Sequence, residues 1–356
     1  MSRNRVVWAG GVILITALAT AVSAWQKPGS EPAAGQSAGQ SKVRREQPEP
    51  PAARAARRAA ALPAKPAGFD ISPVTNVADP YPTWNGVAVD PENNVVAFSD
   101  LNRHGYILYD RMAHSEGDEV TPHLKHIMGN KTGLGFVSGI QLDPVQKLVY
   151  IAENDGWGLR TFSYDDDGNV APRNLVATPH QVWGIGLSRA RKEMVVGVEE
   201  MHTVLVWKQD ATKLDPPLRV IKGPHTGLAD PHGIFMDAVN NEIVVINHGN
   251  WMQYHPNTDH DKPPVTIPIS PGHFDEPSIR FYPVTANGDV AAARVIQGKK
   301  AGLDWPMQID VDNAHNEIAV ANFGADSIAI FRRSDQGDVA PIRELHGVHK
   351  IGRAHV

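Results

Sequence analysis

A chain of 356 residues that is 42% hydrophobic and 21% charged has ample apolar material for a large globular core. It contains no cysteine, which excludes disulfides, thiolate-held zinc, iron–sulfur clusters, covalently attached haem and cysteine nucleophiles. Residues 1–68 carry ten Lys and Arg against three Glu, a net of +7, so the whole-chain charge of −5 leaves −12 on residues 69–356. So acidic a body argues against nucleic acid as a partner, because phosphate recognition needs a basic face.

The chain begins with a short basic stretch holding Arg3 and Arg5. The apolar, uncharged residues 6–24 follow and close on Val22-Ser23-Ala24. Small residues at the end of such a run read as a cleaved export signal; a run of 19 residues is also long enough to remain as a membrane anchor. Positive charge ahead of the run favours the cytoplasmic side. Either reading therefore puts the remainder outside the cytoplasm, periplasmic or secreted, with membrane contact only through this segment. Residues 25–68 are rich in Pro, Ala, Gln, Gly and Arg and lack aromatic residues after Trp25. They cannot bury enough apolar area to offset their chain entropy and are expected to form a disordered linker.

From residue 69 a repeat sets in. Its clearest copy is residues 303–347, with apolar runs at 307–311, 318–321 and 327–331 and a fourth at 342–345 after Asp335-Gln336-Gly337-Asp338. Asn, Asp and Gly separate the runs, as in antiparallel hairpins. Four strands in about 45 residues is the size of one propeller blade. Gly86, Gly139, Gly184 and Gly233 open the first strands of four blades, and Gln308 takes that place in the fifth; the intervals are 53, 45, 49 and 75 residues. Second strands are expected at 95–99, 148–152, 194–198, 243–246 and 318–321, and third strands at 106–109, 159–163, 203–207, 279–282 and 327–331. Fourth strands follow motifs such as Val170-Ala171-Pro172 and Val339-Ala340-Pro341. The long last interval puts about 26 extra residues between the second and third strands of blade 4, near residues 248–277. The expected fold is all-β: a β-propeller of four-stranded antiparallel blades, five of them complete.

The pattern Pro231-His232-Gly233-Ile234, then Asp237, then Asn241-Glu242-Ile243-Val244-Val245-Ile246-Asn247 resembles the NHL repeat. Residues 80–347 resemble the wider group of six-bladed propellers with gluconolactonase-like and streptogramin-lyase-like members. The resemblance implies a fold rather than a chemistry, because propellers host unrelated functions. It also implies six blades in the full-length protein. Residues 72–78 read as a lone outermost strand that would complete a last blade beginning after Gly347. The ending Ile-Gly-Arg-Ala-His-Val (351–356) reads as a sequencing-adapter scar. Residues 69–350 are accordingly expected to be a propeller lacking most of its last blade.

In a propeller the start of each first strand and the end of each second strand lie on one face of the channel, so residues there converge. The first set is Asn85, Ser138, Trp183, His232 and Gln308; the second is Asp100, Glu153, Glu199, Asn247 and Asn322. Every member of the second set is a carboxylate or its amide, and such groups commonly cap the backbone N–H groups of a neighbouring turn. With that structural role left open, Asn85, Ser138, Trp183, His232, Gln308, Asp100, Asn247 and Asn322 are expected to line a ligand-binding face. Glu is a poorer turn-capper than Asp or Asn, so Glu153 and Glu199 form a candidate metal pair. Oxygen donors of this kind suit calcium, the one cofactor these carboxylates suggest. Lactonase-like relatives hold a divalent cation near the channel through Glu, Asn and Asp, but their set has no residue-by-residue match here. His232 is the candidate catalytic residue, as a general base, or else a hydrogen-bonded buried histidine. The insertion after Asn247-His248-Gly249, with its His and Asp residues at 255–261, reads as a solvated polar loop or as a transition-metal ligand set. The expected function is a secreted or membrane-tethered propeller that binds a small molecule or protein through its channel face. The alternatives are a calcium-assisted hydrolase or lyase of the lactonase-like kind, and a structural envelope protein.

Overall fold

The computed structural model describes residues 74–116, 119–252, 254–255, 267–268 and 272–346. The expected export signal or anchor, the linker and the terminal scar lie outside the described residues. The described chain forms five four-stranded antiparallel blades in a propeller arrangement. Blade 1 is Trp84–Asp90, Val95–Asp100, Gly105–Asp110 and Lys125–Met128; blade 2 is Val137–Asp143, Leu148–Glu153, Gly158–Ser163 and Asn174–Ala177. Blade 3 is Val182–Ser188, Glu193–Val198, Thr203–Lys208 and Arg219–Ile221; blade 4 is Pro231–Asp237, Glu242–Asn247, Ser278–Pro283 and Arg294–Gln297. Blade 5 is Pro306–Asp312, Glu317–Asn322, Ser327–Arg332 and Arg343–Leu345. Within each blade the strands pair in chain order. The observed strands start and stop close to the expected positions because each is bounded by turn residues rather than by tertiary accident.

The first hairpins of blades 1, 2, 4 and 5 show why, with Ser188 taking the Asp's place in blade 3. Asp90, Asp143, Asp237 and Asp312 accept hydrogen bonds from backbone N–H groups two or three residues on. Asn94, Lys147, Asn241 and Asn316 then adopt φ between +52° and +56° before the next strand. An Asx turn closed by a left-handed residue fixes the hairpin register locally.

Three of the glycines that open the first strands, all but Gly86, have a tertiary cause. A Cβ on Gly139 would lie 2.4 Å from the Trp183 carbonyl oxygen, one on Gly184 2.4 Å from that of His232, and one on Gly233 2.7 Å from that of Met307. Adjacent first strands approach backbone to backbone there, and only glycine fits. Four apolar cores join successive blades: 1 to 2, 2 to 3, 3 to 4 and 4 to 5. Among the described residues no comparable core joins blade 5 to blade 1. Val96, Ile107 and Tyr109, with Val77, Trp84 and Phe98, form a separate cluster on the side of blade 1 that faces away from blade 2.

The fourth strands of blades 1 to 4 each make one parallel bridge to the next blade, Ile127 to Gly168, Val176 to Lys213, Ile221 to Gly288 and Ile296 to Gly337. Blade 1 receives similar contacts from the segment before it: Ser115 N–H donates to the Asn76 carbonyl at 2.9 Å and Thr121 N–H to that of Ala78 at 2.8 Å. Residues 76–78 thus lie along blade 1 much as an outermost strand of a preceding blade would, although they pair with no strand. In the blade 4 insertion, two short hairpins stand out, Asn250–Trp251 with His273–Phe274 and Tyr254–His255 with Ile267–Pro268.

Candidate metal centre at the channel mouth

The register pairs the second set with the residue just before each first-set position, and it corrects one member: Gln308 pairs with Ala321 and stands in the place of the strand-opening glycine, so Met307 holds the entry position of blade 5. Trp84 pairs with Asp100, Val137 with Glu153, Pro231 with Asn247 and Pro306 with Asn322, while Glu199 lies one residue beyond the second strand of blade 3. Four of the five strand-end groups hold their own blade together. Asp100 accepts from Thr83 Oγ1 and Arg103. Glu153 accepts from the backbone N–H groups of Gly135, at 2.7 Å, and of Gly156. Asn247 accepts from Ala229 N–H and donates to the Gly227 carbonyl; Asn322 does the same with Asp304 and Gly302. Burial pushes the Glu153 carboxyl up against these hydrogen bonds. Of the first set, Asn85 donates to the Ser138 carbonyl at 2.8 Å, and Ser138 donates to the carbonyls of Ala152 and Val182. Gln308 is half-buried.

Glu199 is the exception. Its carboxylate caps no turn and accepts instead from the indole N–H of Trp183. Burial, reinforced by the nearby charge of Asp230, raises its pKa above the ordinary Glu value. The Trp183 ring lies 4.4 Å from that of His232, which stacks on His248 at 3.5 Å and 18°. Phe136 edges against Trp183 at 5.5 Å, and Trp305 lies 5.4 Å from His248. A row of aromatic and imidazole rings therefore runs across blades 2 to 5 at the end where first strands begin.

Asp230, just before the first strand of blade 4, lies under this row. Its Oδ1 is 3.1 Å from His232 Nδ1 and its Oδ2 is 3.6 Å from His248 Nδ1. All three side chains are buried, and one donor atom of each lies within 4.8 Å of the others. Burial alone would raise the Asp230 pKa, but imidazoles that donate protons to it outweigh burial and, with no ion bound, hold the carboxyl well below the usual carboxylate range. The surroundings fix the group in place. The Asp230 N–H donates to His202 Nδ1 at 3.1 Å, which assigns the His202 proton to Nε2, 2.7 Å from the Met252 carbonyl. His248 Nε2 lies 3.0 Å from the Pro306 carbonyl, an acceptor only, so this nitrogen carries a proton and Nδ1 turns to Asp230. Asp230 itself sits at φ +59°, a conformation that Asp tolerates better than most residues.

Among the described residues this is the group suited to holding a metal ion, and neither Glu153 nor Glu199 belongs to it. His232 and Glu199 are brought to one neighbourhood through Trp183; Glu153, Asp100, Asn247 and Asn322 are each committed to loops of their own blade. Residues 256–266 of the insertion, with Asp259, His260 and Asp261, lie outside the described residues. Asp230 was not singled out in the sequence because it precedes the strand in an Asp-Pro pair that reads as turn chemistry. His248 came to attention only as part of the insertion. Their one sequence signal is the matched flanking of a single hairpin, Asp230-Pro231-His232 at its start and Asn247-His248 at its end.

A wide groove of about 1330 Å³ lies elsewhere, between the outer parts of blades 2 and 3, and is lined by Arg173, Arg189, Arg191, Lys192 and Lys208 among others. Its arginines are paired with Asp166, Glu92 and Glu193, and it touches none of the channel-mouth residues, so the buried channel cluster is the better candidate site. No known family model matches the chain, and no curated protein matches it significantly. The class defined is therefore that of the fold, a five-bladed β-propeller with a histidine–carboxylate cluster at its channel mouth.

Proposed function

We propose that this protein is an extracytoplasmic propeller that binds a small ligand at the channel mouth, where blades 3, 4 and 5 meet. One observation carries the reading: Glu199, alone among the five strand-end groups, is released from turn capping and held by Trp183 beside a partly exposed ring row. Aromatic faces with a few convergent polar groups are the usual lining of small-molecule sites. A ligand with a flat apolar face would stack on Trp183 and Trp305 while a donor on it reaches Glu199. The apolar segment 6–24 supports export, and the acidic body disfavours nucleic acid. Metal-assisted hydrolysis or elimination is a second reading, favoured by the nearness of His232 to Asp230 and His248.

The test is a thermal-shift and tryptophan-fluorescence screen of a small-molecule panel (polyols, lactones, aromatic acids and amines) against the wild type, Trp183→Ala and Glu199→Gln. Compounds that stabilise the wild type should lose about tenfold to a hundredfold in affinity in Trp183→Ala, as buried aromatic anchors do. Stabilising compounds indifferent to both substitutions would sink the reading.

A further inference from the structure

We infer that Asp230, His232 and His248 form a binding site for a divalent first-row transition ion of the zinc class at the channel mouth of blade 4. The donors are one carboxylate and two imidazoles, a combination that suits zinc and its first-row neighbours. Calcium and magnesium call for a larger set of oxygen donors. The ion differs in this from the calcium expected at Glu153 and Glu199.

The separations agree. Two ligand atoms each about 2.1 Å from a common ion are about 3.0 Å apart at a right angle and about 3.4 Å apart at the tetrahedral angle. The two carboxylate-to-imidazole separations are 3.1 and 3.6 Å, and all three donor atoms lie within 4.8 Å of one another; His232 Nδ1 also lies 3.3 Å from the Asp230 backbone carbonyl, a hydrogen bond the ion would replace, with the His232 proton on Nε2. The hydrogen bonding of the cluster asks for a cation. Asp230 is 5% exposed, and its Oδ1 meets His232 Nδ1 at 3.1 Å but outside hydrogen-bond geometry. A buried carboxylate oxygen held only in this way is costly. His248 donates from Nε2 to the Pro306 carbonyl, so the neutral ring turns the lone pair of Nδ1 toward Asp230 Oδ2. Two acceptors then face one another, and either a second proton or a metal ion must lie between them. One feature favours the ion: the Nε2–H···O=C bond is the outer-sphere contact that fixes a ligating histidine in its tautomer and raises its basicity. Three protein donors leave coordination positions open, and these would face the Trp183–Glu199 side. The inference rests on the channel-mouth reading only for what those open positions meet, and its test reads the ion alone, so either can fail without the other.

The experiment uses the untagged full chain, stripped with chelator and titrated with zinc chloride by calorimetry. One equivalent per chain is expected to bind and to raise the melting temperature, while millimolar calcium leaves it unchanged. Asp230→Asn and His248→Gln should each weaken zinc binding by more than the ~10–100-fold that loss of an outer-sphere partner costs. Should either variant fail to fold, the wild type is loaded with cobalt(II), whose visible bands report nitrogen and oxygen ligation and should disappear on adding zinc. Absence of both zinc heat and cobalt bands would mean that a proton on His248 closes the cluster, and would overturn the proposal. Equal zinc affinity in folded variants would place the ion on other histidines and overturn it as well.

Discussion

Blade 1 has two flanks in different surroundings. Toward blade 2, Ala88, Ala97, Tyr106 and Leu108 join a core closed by Ile140, Leu142 and Phe162. On the other side, Val87 and Val89 of the first strand are 55% and 52% exposed. The equivalent residues of the next blades, Ile140 and Leu142 in blade 2 and Ile234 and Met236 in blade 4, are no more than 8% exposed. The same strand pattern is thus a core in four places and a surface in one. Among the described residues only the outer half of that flank is covered. There Val77 packs on the cluster, and Asp79 accepts from Tyr109 and from both terminal nitrogens of Arg103. Blade 5 shows the complementary change. Gln308 replaces the glycine required where a first strand meets a following one, and Asp310 is exposed where blade 4 places the half-buried Phe235. Period-2 alternation says which residues share a face; whether that face is a core depends on there being a blade beside it.

Truncation inside a junction should separate the two flanks most widely. Ile140→Ala is expected to cost about 2–5 kcal/mol through lost burial and a residual cavity. Val87→Ala at the equivalent position should cost within about 0.5 kcal/mol. Denaturant unfolding of both variants measures the difference, and equal costs would show that the blade 1 flank is covered in solution. A smaller contrast comes from the strand openings. Gly139→Ala forces a Cβ onto the Trp183 carbonyl and should destabilise by about 1–3 kcal/mol. Gln308→Gly should cost only the ~0.5–1 kcal/mol of added backbone entropy. A severe effect of Gln308→Gly would reveal a contact on the open side of blade 5.

The Glu–Arg pairs across blades 3, 4 and 5 lie outside the comparison and should respond alike in each. Glu193 takes Arg219 through two bonds of 3.0 and 2.7 Å and Arg191 at 2.9 Å; Glu242 with Arg294 and Glu317 with Arg343 repeat the arrangement. Burial works to raise the Glu193 pKa, but the two arginines outweigh it and hold the carboxyl below the ordinary Glu value. A depressed carboxyl adds stability that is present above the unfolded value, about pH 4.5, and is lost as the pH falls below it. Glu193→Gln should therefore cost about 1–2 kcal/mol at pH 7 and less at pH 3, read from melting curves across that range. A cost independent of pH would show that the arginines do not hold the carboxyl charged. The smallest effect on stability is expected from Val87→Asp with Val89→Asp, within about 0.5 kcal/mol each at exposed positions. Exposed apolar surface beside an unclosed edge favours association. Size-exclusion chromatography should therefore show the wild type self-associating and the double variant shifted toward monomer. A wild type that runs as a monomer at high concentration would remove that reading of the flank.

The sequence alone determined the blades, because each strand and turn is a local matter. Asx turns, left-handed Asn and Lys residues and alternating apolar positions repeat at one spacing and need no distant partner to be read. It also marked the glycines, although their reason, the carbonyl of the next blade, is tertiary. The site was legible in part. His232 stood out by its place at a strand opening, and Glu199 by being a Glu where Asp or Asn would serve a turn. Nothing in the sequence separated Glu199 from Glu153. One meets an indole and the other two backbone N–H groups, and that depends on which residues neighbouring blades present. Asp230, His232 and His248 likewise became a cluster only through the hairpin that brings the start of one strand beside the end of the next. Which faces are buried and which carboxylates are freed from turn capping were decided by blade-to-blade packing, because burial and charge belong to the space between elements and not to any one of them.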